Sequence, residues 1–168
     1  DVELWMMCDN PFLAPQEAMK WTKMYSSDPR VRIINRVQSQ QQMIPILHNV
    51  DCGIFPSRAE GWNLEILELM SMGKHIIATD YSAHTEYCTE DNSMLATPYK
   101  NEPAVDGIWF HGQAEWACLE GIEELLVGYI RDTYAKWKEG TLVQNIDGIE
   151  TAQKYTWEAC AKKIKEVL

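Results

Sequence analysis

Short apolar, often β-branched runs alternate with helix-like stretches along nearly the whole chain, and this alternation constrains the fold more than any other feature. VELWMMC is strand-like; the turn formers Asn10, Pro11 and Pro15 follow, then a helical stretch from about Gln16 to Met24. Ser27, Asp28 and Pro29 break that helix, and VRIIN reads as the next strand. QQQMIPILHNV reads as a helix in spite of Pro45, CGIFPS as a third strand, NLEILELMSM as a helix stopping at Gly73, and HIIAT as a fourth strand. Beyond it come the turn DYSAHTEYC, a weak strand at SMLAT, a proline- and glycine-rich irregular stretch from Tyr99 to Gly112, and two helices, the last from about Glu150 to Leu168. Strands joined through helices pair as crossovers, which predicts an α/β chain: a parallel sheet with helices on both faces, a Rossmann-like three-layer domain. In such a sheet ligands lie at the carboxyl ends of the strands, and the loop after CGIFPS is at such an end.

A chain of 168 residues, 46% of them hydrophobic, suffices for one full core, so residues 1–168 are expected to form a single domain. Twenty-five acidic residues against 15 basic ones give a net charge of -10, which repels a polyanion and excludes nucleic acid as a general partner. A nucleotide is compatible with that charge, because a few backbone amides at a helix N-terminus hold a phosphate locally. Cys8, Cys52, Cys88, Cys118 and Cys160 are scattered and odd in number, which fits a reducing, cytoplasmic setting. No apolar run approaches the ~20 residues that cross a bilayer. The chain starts inside a strand without an initiator methionine, which suggests a fragment of a longer protein.

The segment most suited to chemistry is PSRAEGWNLEILELMSMG, Pro56 to Gly73. A helix starting near Trp62 or Asn63 presents the free amides of Asn63, Leu64 and Glu65 toward the strand ends, where its dipole favours a phosphate. Glu68, one to two turns down, is placed to accept hydrogen bonds from the vicinal hydroxyls of a ribose, and Glu60 in the loop faces what lies beyond the phosphates. The pattern alone equally allows Glu65 and Glu68 to be a solvated helix stripe and Glu60 a turn residue.

PSRAEGWNLEILELMSMGKHIIATD resembles the signature of the group-one, or family-four-like, glycosyltransferases of the GT-B fold: strand, Pro-Ser, Glu-Gly-Phe-Gly-Leu, a second Glu, a helix end with Gly, and a strand. VRIINRVQSQQQMIPILHNVDCGIFPS is similar to the family's preceding strand, base-contacting turn and helix; DYSAHTEYC to its glycine-rich turn ending in a glutamate, here Glu86; and KYTWEACAKKI to the opening of its last helix. The resemblance implies the C-terminal, nucleotide-sugar-binding half of a retaining GT-B enzyme, with the N-terminal acceptor domain lying outside this chain. It makes Glu60 the carboxylate beside the donor sugar and Glu68 the ribose ligand. Trp62, Asn63 and Leu64 fall in the turn whose amides meet the sugar and diphosphate, and Asn35, Arg36 and Val37 in the turn against the base. The donor is a UDP-, GDP- or ADP-linked sugar, the acceptor is unspecified, and neither metal nor other cofactor is expected, since amides and basic side chains stabilise the leaving diphosphate.

The chain departs from the pattern where Asn63 and Asn35 replace glycine, Trp62 replaces phenylalanine, and Ser82 and Ala83 stand in a turn that prefers glycine. The family's diphosphate-clamping Arg and Lys fall before the first strand present. These departures leave open a non-catalytic nucleotide- or nucleotide-sugar-binding module. A flavodoxin-like receiver, which needs an acidic cluster after the first strand, has only Asp9 there. Among other groups, Arg58 is expected to pair with Glu60 or Glu65, His75 to be structural, and His84 to serve its turn, with a sugar contact left open. His48, His75, His84 and His111 show no metal-ligand spacing. Trp109, Trp116, Trp137 and Trp157 sit in segments where packing explains them as well as a ligand does.

Overall fold

The computed structural model describes residues 2–7 and 14–167. Cys8, Asp9, Asn10, Pro11 and Leu168, named above, lie outside the described residues. Backbone contacts divide the chain into two compact units, Asp1–Ile46 and Leu47–Leu168.

In the first unit, β1 (Leu4–Met6) and β2 (Val31–Ile33) run parallel in the register Leu4↔Val31, Trp5↔Arg32 and Met6↔Ile33. The crossover is α1 (Pro15–Tyr25), whose leading proline sits where a missing N–H costs nothing. Ile34 extends the pairing by donating to Met6 O at 2.8 Å, and Arg32 reaches across to Glu3 at 2.6 Å. The helix α2 (Gln40–His48) contains Pro45, as expected from the sequence.

The second unit is built on a parallel sheet in the order β3 (Cys52–Phe55), β4 (His75–Thr79), β5 (Met94–Ala96). The β3–β4 crossover is α3 (Leu64–Ser71), which ends at Gly73 with φ +69°. Its Ile66, Leu67, Leu69 and Met70 meet Ile76 and Ala78 of β4 in the main core, with Tyr87, Cys88 and the half-buried Phe55, Trp62, Leu95 and Tyr155 around them. Alternation along β4 turns buried Ile77 to the other face, where α4 (Glu123–Lys138) packs and Tyr129 donates to Leu95 O at 3.0 Å. Helices thus cover both faces of a parallel sheet, the expected α/β arrangement.

Two predicted features differ. The stretch read as irregular is an antiparallel hairpin, β6 (Asn101–Val105) and β7 (His111–Ala117), bulged between Pro103 and Val105. Its tip is organised by Asp106, whose carboxylate accepts from the amides of Ile108, Trp109 and Phe110 at 2.8, 2.8 and 2.9 Å. Those backbone bonds, the one from Phe110 foremost, hold the Asp106 carboxyl below its usual range. The last helical stretch is two helices, α5 (Ile146–Lys154) and α6 (Trp157–Val167), so three helices close the chain instead of two. Thr156 divides them by accepting from the Ala159 amide at 3.2 Å, an N-cap that starts α6 afresh. The Asn145 side chain caps α5 by accepting from Gly148 N at 2.9 Å, while its amide donates to Lys74 O and Asn92 O at 3.1 and 2.8 Å, so one buried residue joins α5 to the starts of β4 and β5.

Gly53 is where β3 passes under α3: an added Cβ would lie 2.4 Å from Leu69 Cδ1 and 2.6 Å from Phe55 Cε2, whereas Gly128 in α4 has nothing within 4 Å. Thermal unfolding of the two alanine variants is therefore expected to diverge. Gly53→Ala lowers stability by about 2 kcal/mol through overpacking, and Gly128→Ala raises it by up to about 1 kcal/mol through helix propensity.

Candidate functional site

The carboxyl ends of β3 and β4 are tied together by Thr79, the last residue of β4. Its buried hydroxyl donates to Ser57 O in the loop after β3 at 2.6 Å, and its carbonyl accepts from His84 Nδ1 at 2.9 Å. The two loops are joined again where Glu60 N donates to Ser82 Oγ at 2.8 Å, and Glu60 is itself held by the Ser57 hydroxyl, which donates to Glu60 Oε1 at 2.8 Å. Glu60 is consequently a half-buried carboxylate with a fixed orientation in the loop.

The start of α3 is shaped by three aromatic rings. Trp62, Tyr87 and Tyr155 meet with centroids 5.3, 5.5 and 5.9 Å apart, and the Tyr87 hydroxyl reaches the carbonyls of Trp62 and Asn63, 3.1 Å from the latter. Burial pushes the Tyr87 phenol well above its usual value, so it remains a donor. No cis peptide bond occurs among the described residues, so each amide N–H there points opposite the carbonyl of its own peptide. Holding the carbonyls of Trp62 and Asn63 on Tyr87 therefore turns the next two N–H groups, of Asn63 and Leu64, away from the aromatic cluster. Tyr155, from the last-helix motif, donates its hydroxyl to Glu86 O at 2.8 Å, which brings that motif to the same loops.

Asn63 and Ser82 are the two non-glycine residues with positive φ among the described residues, at 64° and 52°. Both stand where glycine is expected from the family pattern, so the left-handed backbone survives the replacements; Asn35 does not share it. Asn63 makes no side-chain cap on α3 and instead places Nδ2 3.0 Å from His84 Nε2. Because Thr79 O only accepts, His84 carries its proton on Nδ1 and accepts from Asn63 on Nε2. The ring is 0% exposed with both nitrogens engaged, which closes the sugar contact left open for it.

Glu68 lies half-buried on α3, and burial, then the charge of Glu65, raises its carboxyl above the ordinary value. Leu64 and Glu65 at the helix start are exposed. In the first unit, the turn Asn35–Arg36–Val37 follows β2, with Asn35 and Arg36 exposed and Val37 half-buried. Arg58 does not pair with Glu60 or Glu65. It bonds Glu102, lies 3.8 Å over the Trp116 ring and donates to Ala117 O at 3.3 Å, because the hairpin that the sequence concealed docks there. Packing accounts for Trp116, and the half-exposed Trp137 stacks on Tyr134, but Trp109 and Trp157 are 74% and 84% exposed, so packing does not explain those two. His75 is structural, its Nε2 2.7 Å from Val143 O. Among the described residues no three His, Cys, Asp or Glu converge as metal ligands, no helix is long and apolar enough to cross a membrane, and Cys52, Cys88, Cys118 and Cys160 are free thiols. Burial pushes Cys52 up to about 12 and Cys88 up to about 11, which makes both poor nucleophiles.

The family profile of the group 1 glycosyl transferases matches residues 1–109. The chain belongs to this family, and its fold is that of a GT-B domain. Among solved structures it is similar to sucrose-phosphate synthase from Thermosynechococcus elongatus (TM-score 0.64, 16% identity, 98% of this chain and 36% of that one). It is also similar to HepE of Anabaena, solved in complex with UDP-glucose (TM-score 0.57, 17% identity, 90% and 35%). A third is the C-terminal domain of the group 1 family protein LpcC from Francisella tularensis (TM-score 0.54, 18% identity, 83% and 60%). This chain thus spans between 35% and 60% of the length of those relatives. A comparison with curated protein sequences finds no match.

The raised Glu68 carboxyl has a signed consequence for stability. The folded state binds this proton more tightly than the unfolded chain, so the contribution is complete below the ordinary carboxyl value of 4.5 and lost as pH rises through the raised one. Glu68→Gln is expected to melt at a higher temperature than the unaltered chain at neutral pH, with the difference vanishing near pH 4 in parallel melts.

Proposed function

We propose that this chain is the donor-binding half of a retaining glycosyltransferase that takes a sugar from a nucleotide sugar to an acceptor bound by other parts of the protein. The observation that supports the reading is the pair of loops tied together after β3 and β4, which hold the Glu60 carboxylate and turn the Asn63 and Leu64 amides away from the aromatic cluster at the start of α3, the helix that carries the half-buried Glu68. In this assignment the amides at the start of α3, with Trp62, meet the sugar and diphosphate, aided by the helix dipole. Glu68 accepts from the ribose hydroxyls, Glu60 faces the sugar, and Asn35, Arg36 and Val37 serve the base. Transfer needs the diphosphate charge stabilised as it leaves; the reading gives that role to amides and basic side chains, without a metal. HepE, of the same fold, binds UDP-glucose, which supports a nucleotide sugar as ligand.

The reading of a non-catalytic module rested on the departures at Asn35 and Asn63; the left-handed backbone of Asn63 weakens its second ground, and Asn35 does not share that backbone. Free thiols among the described residues support a cytoplasmic setting. Calorimetric titration with UDP, GDP, ADP and their glucose conjugates tests the proposal. Saturable binding of one of them is expected, weakened at least about tenfold in Glu68→Ala, as for loss of hydrogen bonds to a charged acceptor. Equal binding by the variant, or none by the unaltered chain, would contradict it.

A further inference from the structure

His84 is a buried, fully bonded side chain that no step of the proposed transfer uses, and it spans from the end of β4 to the first residue before α3. A left-handed φ costs an ordinary residue about 1–2 kcal/mol and glycine almost nothing; asparagine tolerates it better when its side chain finds a local bond. At Asn63 that bond is supplied from 21 residues away, by a ring fixed on Thr79 O. An asparagine before a helix ordinarily uses its side chain to cap the first amides, and here the carboxamide is diverted to His84, so the Asn63 side chain makes no cap on them.

We infer that His84 is a positioning residue: by tethering the Asn63 side chain it holds the left-handed turn that aims the Asn63 and Leu64 amides at the donor diphosphate. The inference rests on the donor-site reading. Tyr87 fixes the carbonyl side of the same two peptides, and His84 fixes the side chain between them, so the turn is gripped at both places where it could rotate. A sugar diphosphate then meets amides that need no reordering on binding, and their geometry survives the absence of a glycine.

A double-mutant cycle in the 168-residue chain tests this, with titrations of UDP-glucose, GDP-glucose and ADP-glucose into the unaltered chain, His84→Leu, Asn63→Gly and the double variant. His84→Leu is expected to weaken the nucleotide sugar that binds by about tenfold, the scale of one buried hydrogen bond. Added to Asn63→Gly, where the backbone needs no tether, the same change is expected to alter affinity by less than about twofold. His84→Phe, which keeps the volume of the ring but neither nitrogen, replaces His84→Leu should the latter fail to fold, with the same expected contrast between backgrounds. An equal loss in both backgrounds, or no loss in either, overturns the positioning role while Glu68→Ala still weakens binding at least about tenfold. No binding by the unaltered chain, or binding indifferent to Glu68→Ala, overturns the donor site itself and this role with it.

Discussion

The arrangement of the candidate site depends on the hydrogen bonds of one buried threonine. Thr79 ends the central strand of a three-stranded parallel sheet, and its hydroxyl and carbonyl hold the loop after β3 and the turn after β4 respectively. A parallel sheet delivers two loops to the same edge but leaves their spacing free. Thr79 fixes that spacing, and Ser57, Ser82 and His84 pass the constraint outward to Glu60 and Asn63. The polar chain is satisfied at every member named, which is the condition under which a buried network specifies one arrangement.

A second constraint is aromatic. Trp62, Tyr87 and Tyr155 come from the loop before α3, the end of the turn after β4 and the junction of α5 with α6, so three separated parts of the sequence share one cluster. The cluster accounts for the motif near the C-terminus: its tyrosine packs beneath the site, while Trp157 two residues on is exposed. Arg58 plays the corresponding part on the other side, stapling the loop before Glu60 to the base of the β6–β7 hairpin through Glu102, Trp116 and Ala117.

What the sequence made legible follows from which signals are local. Strands β1 to β5 and helices α1 to α3 were readable from apolar runs bounded by proline and glycine, and HIIAT coincides with β4 residue for residue. The hairpin was not, because Pro103 and alternating polar residues hid its strands, although Asp106-Gly107 between them is a turn signal of the right kind. The division of α5 from α6 rests on Thr156 capping a new helix, a signal overlooked inside an otherwise continuous helical composition. Glu60 and Glu68 were legible as candidates from spacing and family resemblance. The Asn63–His84 tether was not, since neither residue announces the other across 21 positions and only the left-handed φ reveals why they meet. The partner of Arg58 was mistaken for the same reason: its true partner lies on the unforeseen hairpin.

A nucleoside diphosphate sugar is proposed to bind where the loops after β3 and β4 meet, and amide chemical-shift mapping with UDP-, GDP- and ADP-glucose tests that placement. Saturable shifts concentrated in 60–68 and 82–86 are expected, with the amides of Asn63 and Leu64 among the largest. Shifts confined instead to the hairpin tip around Asp106, or to the surface lined by Asp91, Lys136 and Gln144 at the opposite ends of the strands, would contradict it.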